Sequence, residues 1–474
     1  MKPTGLRAFL RNTLIVLILL ALILAPRPAA GYFALAQALR RSVGHSKILE
    51  RAPYYALAAE RIPWRPDLYE QAGNDYINGD DYKTAIRFYS LALQHHDLSP
   101  DGWMAWGNAL DLQGDTAGAV AIWEKALKQK NPDPFVHLYL GDGYEKIGNY
   151  ACAVREYKAF LQVHPDYDRA HYQLGLLYAA TIPDQALPEL MQAAQINPKL
   201  DPSVQSLRSA LNAASLADNS AYELLVSGRA LGALGNWELA AEAFRNAIAV
   251  QADYAEAWAW LGEAKQQQGQ DGSVEIKKAL AFQPDSAMVE SLYALYLQRQ
   301  KQPIQALAAM QKAAALEPAD PGWQMALGEA YELTGDLVSA LKYYQSATNL
   351  APNEPSFWRA LAEFSLRNNL DLAGTGLPAA RRLVELAKTD WRSDDIAGQI
   401  LLETNDTVGA EALLKKAIEL DPTQAAPFLH LGLLYMQTGD RTAAFSYLNQ
   451  AKSGFDPDGS ISWQASRLLE QYFP

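Results

Sequence analysis

The chain has 474 residues, 49% of them hydrophobic and 20% charged, which supplies a packed core and excludes both a disordered chain and an integral membrane bundle. A formal net charge of −12 argues against general binding to nucleic acid or to an anionic membrane surface, since phosphate contacts need a basic footprint. The single cysteine, Cys152, excludes an intrachain disulfide and a thiolate-cluster metal site.

Residues 1–30 read as a signal peptide or a transmembrane anchor. Lys2, Arg7 and Arg11 precede an uninterrupted apolar run at 14–25, and no acid occurs in these 30 residues. The uncharged stretch 12–25 has 14 residues, roughly 21 Å as a helix against a bilayer core of about 30 Å. Two outcomes stay open. In one, the segment anchors the chain and the body lies outside the cytoplasmic membrane. In the other, it is cleaved at a small-residue site such as Ala34-Leu35-Ala36, and the body is secreted. Residues 31–65 read as leading helices, a degenerate hairpin with Ala52, Ala56 and Ala59 spaced as in a second helix.

From residue 66 a period takes over. Gly73, Gly107, Gly141 and Gly175 are each 34 residues apart. Gly228, Gly262, Ala294, Gly328, Ala362, Gly398 and Gly432 continue it at spacings of 34, 32, 34, 34, 36 and 34. An apolar or aromatic residue tends to follow three later (Tyr76, Leu110, Tyr144, Tyr331, Tyr435), on the same helix face. A mid-helix glycine costs about 1 kcal/mol relative to alanine, so each must allow a close approach that a Cβ would block. Turn residues then recur (Asp80-Asp81, Gly114-Asp115, Gly148-Asn149, Gly335-Asp336, Asn405-Asp406, Gly439-Asp440) and open a second helix. That helix carries a large residue between two alanines: Ala85/Tyr89/Ala92, Ala119/Trp123/Ala126, Ala240/Phe244/Ala247, Ala340/Tyr344/Ala347 and Ala410/Leu414/Ala417. Prolines at 100, 132, 165, 198, 284, 318, 352, 422 and 457 punctuate the units. The period predicts four repeats over 66–200 and a linking helix in 201–220. Seven repeats follow over 221–457, with a capping helix at 458–474.

These positions resemble the tetratricopeptide repeat (TPR) family. The unit starting at Pro100 supplies Trp103, Gly107, Ala119, Trp123 and Ala126. The unit starting at Pro321 supplies Leu327, Gly328, Tyr331, Ala340, Tyr344, Ala347 and Pro352. The resemblance covers about residues 66–457 and implies an all-α fold, a right-handed superhelix (solenoid) of TPR helical hairpins, here with an N-terminal hydrophobic helix.

Catalytic signatures are missing where they would be visible: there is no Gly-Lys dipeptide, no G-x-S-x-G and no H-E-x-x-H. His95 and His96 are adjacent and diverge on a helix. His164 and His171 flank Asp166 and Asp168 in a turn, read as solvated and not as a metal site. Cys152 reads as a buried small residue. No cofactor, metal or nucleic-acid partner is expected, and the chain reads as a non-enzymatic scaffold for a peptide or partner domain at the cell envelope. The resemblance implies that first helices line the concave face near positions 2, 5, 9, 12 and 13. Position 9 gives Asn74, Asn108, Asp142, Arg229, Glu263, Glu329 and Glu363, with Lys146 beside them. Asparagine amides at this period suit an extended peptide backbone. The alternative is a glycan-binding module using exposed aromatics among the 11 tryptophans and 24 tyrosines. Oligomeric state is not readable.

Overall fold

The structure, a computed structural model, describes residue 13 and residues 26–41, 48–62 and 64–473. The apolar run at 14–25, read above as an N-terminal hydrophobic helix, lies outside the described residues. Among those described, no helix is long and apolar enough to cross a membrane. Every regular element among the described residues is a helix, and one isolated bridge joins Gln424 and Phe455.

Each repeat forms the hairpin its turn chemistry dictates. The turn residue takes a left-handed backbone, with φ of +92° at Gly114, +75° at Gly148 and +83° at Gly335. Where glycine is absent there, Asp80, Lys301 and Asn405 hold the same conformation at φ near +60°, at a steric cost glycine avoids. The next residue then caps the second helix. Asp81, Asp115, Asn149, Asp336, Asp406 and Asp440 each accept the backbone N–H three residues on, which satisfies a donor the helix start leaves unpaired.

The small residue of the first helix meets the large residue of its own second helix. A Cβ on Gly73 would collide with Tyr89, on Gly141 with Tyr157, on Gly175 with Leu190, on Gly398 with Leu414 and on Gly432 with Leu448. The glycine period therefore closes hairpins internally, and the large side chain it admits is fully buried: Tyr89, Trp123, Tyr157 and Leu190 lie below 2% exposure.

The chain divides into two compact units, residues 1–243 and 244–474, with the division inside the helix Trp237–Val250. In the first unit the helices Pro26–Arg40 and Ile48–Arg61 pack as a leading hairpin. Gly31, Ala34 and Ala38 are buried, so the Ala34-Leu35-Ala36 cleavage candidate lies within a packed helix. The hairpin is tied to the first repeat by Arg51, whose guanidinium donates two 2.6 Å bonds to the buried carboxylate of Asp75. The helix Asp201–Ser215 occupies the interruption after repeat four and buries Val204, Leu207, Leu211 and Ala214. It does not break the stack. The next first helix, Ser220–Ala233, packs back onto Asp168–Thr181, and the buried Ser227 hydroxyl donates to the Ala179 carbonyl.

In the second unit, repeats continue to the helix Arg441–Ser453. The helix Ser460–Tyr472 then covers it by burying Ala465 and packing Leu468 and Leu469 around Phe428, Leu429 and Leu448. A terminal repeat needs such a cover for its apolar face. The irregular stretch 371–376 is a single wide helical turn, Leu372–Gly376, opened by Asp371 at φ +47°. The Asp371 carboxylate accepts the Thr375 hydroxyl at 2.6 Å, a side-chain bond across the turn.

Candidate functional site

The first unit holds a cavity of about 1130 Å³ lined mainly by the first helices of its repeats. Helix Pro100–Leu112 contributes Asn108, Asp111 and Leu112. Helix Phe135–Lys146 contributes Tyr139, Asp142, Glu145 and Lys146. Helix Asp168–Thr181 contributes Arg169 and Gln173, and the turn at 234–236 closes one side with Glu238 and Leu239 beyond it. Tyr139, Asp142 and Lys146 share a face because they stand three and four residues apart. Tyr139 packs its ring 5.5 Å from that of Trp123, the buried large residue of repeat two.

The polar groups of this wall differ in how fully they are used. Lys146 donates to Asp111 one repeat earlier, at 2.6 Å. Asp142 accepts from Arg169 at 2.6 Å through one oxygen and from the Tyr157 hydroxyl at 2.6 Å through the other. That same hydroxyl lies 3.1 Å from Glu145, and Gln173 approaches Glu145 at 3.5 Å. Two carboxylates thus share one hydroxyl hydrogen, and of the two Asp142 holds the guanidinium. Among the described residues the Asn108 side chain makes no hydrogen bond.

Burial pushes the Glu145 carboxyl up to about 7. Asp142 adds to the rise, while the Tyr157 hydroxyl and Arg169 oppose it. The folded value lies above the ordinary 4.5, so the folded chain holds the proton more tightly than the unfolded one. Stability from this group is therefore full below pH 4.5 and is lost as pH rises through 7. Wild type should lose on the order of 1–3 kcal/mol between acid and mildly alkaline pH from Glu145. Glu145→Gln should remove that slope in urea melts of the full chain across this range, and parallel profiles for the two proteins would refute the assignment.

The other predicted residues fall elsewhere. Asn74 does not line this cavity, and its carbonyl oxygen accepts the Tyr89 hydroxyl at 2.5 Å. Arg229 is exposed on Ser220–Ala233 and does not line the cavity. In the second unit Glu263, only 3% exposed, takes both guanidinium nitrogens of Arg299 at 2.5 and 2.6 Å and a bond from Gln267. Glu329 and Glu363 are raised from the ordinary carboxyl value, first by burial, with Glu332 adding to Glu329 and Arg359 opposing at Glu363. Burial would raise Glu332 too, but bonds from Arg367, Asn368 and Tyr344 hold it below its ordinary value. The Asp111–Lys146, Glu263–Arg299 and Glu332–Arg367 pairs span 35, 36 and 35 residues and brace consecutive first helices.

Of the predicted set, the fold brings Asn108, Asp142 and Lys146 together. Asp111, Glu145 and Arg169 were missed. Their positions, 12 in two repeats and 2 in the third, belong to the same inner-face register, so the register was the available signal.

Among the described residues no group of three His, Cys, Asp or Glu side chains could hold a metal ion. His171 bridges Glu189 and the Pro165 carbonyl at 2.6 and 2.8 Å, and His164 packs against Phe135 and Phe160. Cys152, expected to be buried, is half-exposed, because it sits in the first turn of its helix just after the Asn149 cap. Trp64 and Trp463 are the tryptophans exposed among the described residues, one in each unit, so neither unit presents an exposed tryptophan cluster.

Family models for tetratricopeptide repeats match four segments, residues 138–202, 228–269, 297–364 and 425–453. No curated protein matches the chain. Solved structures similar to it include yeast Tom70, at 16% identity and a TM-score of 0.40 over 85% of this chain and 95% of that one. Another is the APC/C hetero-tetramer Cut9-Hcn1, at 15% identity and a TM-score of 0.38 over 97% and 98%. A third is YrrB, described as a TPR protein with an unusual peptide-binding site, at 21% identity and a TM-score of 0.32 over 41% and 98%. The four matched segments are tetratricopeptide repeats, and the same helical-hairpin period runs on beyond them through both units.

Proposed function

We propose that the protein is a non-enzymatic scaffold that holds an extended segment of a partner protein in the inner groove of its first unit. The observation that carries this is the cavity of about 1130 Å³, with the Asn108 amide, unpartnered among the described residues, on a wall that also carries aromatic, aliphatic and charged side chains. An amide offers a donor and an acceptor together, the pair an extended backbone needs. A groove of this volume is of the size that takes several residues of chain. The sequence at 1–30 supports an envelope location, with the repeats beyond the cytoplasmic membrane and a role in assembling an envelope complex. Anchoring there would raise the effective concentration of partners in the same membrane.

The test is a photo-crosslinking amino acid placed at Tyr139 in the groove and, as a control, at the exposed Val163. Full-length chain in its native membranes should give a discrete protein adduct from position 139 only, and Asn108→Ala should reduce its yield several-fold. Identical adducts from both positions, or an adduct indifferent to Asn108→Ala, would move the binding surface out of this groove. Loss of the protein from the membrane fraction would count against the envelope location alone.

A further inference from the structure

The lining of the groove is unbalanced in charge. Asp111, Asp142, Glu145 and Glu238 face it as acids, and Lys146 and Arg169 as bases. Lys146 is engaged by Asp111 and Arg169 by Asp142. Among the described residues no cation bonds Glu145, whose polar neighbours are the shared Tyr157 hydroxyl and the Gln173 amide. One hydroxyl hydrogen cannot serve both Asp142 and Glu145 fully, because a single O–H donates one strong bond. Charge balance at this pair is completed either by a proton on Glu145 or by a cation brought from outside.

We infer that the groove prefers a partner segment carrying a lysine or arginine side chain, whose cation pairs with Glu145 beside Asp142. Tyr139, three residues before Asp142 on the same helix face, offers an aromatic wall for the methylene stem of such a side chain. The Asn108 amide then takes the adjoining backbone. This preference rests on reading the groove as the binding site. It is also the reverse of a groove that clamps a carboxylate, since Lys146 and Arg169 are already committed to carboxylates of the protein.

The groups facing Glu145 are Asp142 on its own helix, Tyr157 on Tyr150–Val163, and Arg169 and Gln173 on Asp168–Thr181. A cation at Glu145 must displace its proton, so binding of a basic segment releases a proton and weakens in acid. With a free carboxyl near 7, affinity should fall about tenfold from pH 8 to pH 6.

The experiment is selection of displayed random dodecapeptides on the full-length chain in detergent at pH 8, with titration calorimetry of synthetic copies of the enriched sequences. A fixed lysine or arginine position is expected. So are an affinity about tenfold lower at pH 6 and a Glu145→Gln variant that binds weakly and equally at both pH values. Glu145→Asp should retain the pH dependence. Gln173→Lys, which supplies an internal ammonium at the half-exposed position beside Glu145, should weaken binding as Glu145→Gln does. Enriched peptides that need Asn108 but carry no basic position, or that bind Glu145→Gln as tightly as wild type, would overturn the cation preference and leave the groove reading standing. No enrichment on wild type over an Asn108→Ala/Tyr139→Ala variant would overturn both.

Discussion

Gly107→Ala is expected to destabilise the first unit by about 1–3 kcal/mol, although alanine is the better helix former by about 1 kcal/mol. A Cβ at residue 107 would stand 2.5 Å from Cδ1 of Trp123 and closer still to its Nε1. Trp123 is 1% exposed and its indole N–H donates to the Met104 carbonyl, so the ring cannot withdraw without leaving its pocket. Overpacking of a rigid, fully buried ring outweighs the gain in helix propensity. Gly328→Ala is the control. There the nearest atom to a Cβ is Cδ2 of Tyr344 at 3.2 Å, a few tenths of an ångström from ordinary contact, and the net change should stay within about 1 kcal/mol. Urea titrations of both variants would decide it, and equal shifts in midpoint would show that the glycines are not there for the large residue of the second helix. Because Trp123 also lines the groove, Gly107→Ala should weaken partner capture as well, and Gly328→Ala should not.

The second large effect is expected at Arg299→Leu. Glu263 is 3% exposed and carries a two-pronged guanidinium contact one repeat away. Removing the arginine leaves a buried carboxylate with Gln267 as its one donor among the described residues, which costs about 3–5 kcal/mol. The double variant Glu263→Leu/Arg299→Leu should recover most of that loss, because a buried ion pair is worth little net against apolar side chains of similar volume. A double-mutant cycle on the second unit's unfolding midpoint measures the coupling. If the double variant is no more stable than Arg299→Leu, the pair is not the brace between these first helices. If Glu263 is such a brace, changing it would alter partner binding only through stability.

Much of the fold was legible because its signals are local. A left-handed turn residue followed by Asp or Asn writes its hairpin within a few positions, as at Gly114-Asp115 and Gly335-Asp336. The alternation of small and large residues needs only one hairpin to be read. The interruption at 201–220 was legible as a helix, but not the return of Ser220–Ala233 onto Asp168–Thr181, which depends on the buried Ser227 finding the Ala179 carbonyl 48 residues back. Cys152 misled because it stands one residue before the packing alanine, Ala153, and so falls in the first turn of the helix, half-exposed.

By itself, then, the sequence determined the repeat, its helices, its turns and the inner-face register, since propensity, capping and steric fit between neighbouring positions act over one hairpin of chain. Tertiary structure decided which inner-face polar groups are spent and which are left for a partner. Asn74 is taken by Tyr89 within its hairpin, Glu263 by Arg299 and Asp142 by Arg169 in the following repeat, while Asn108 and Glu145 keep capacity on the groove wall. The physical reason is distance along the chain. These two ion pairs join residues 36 and 27 apart, and their carboxylates acquire their cations only once one repeat has stacked on the next.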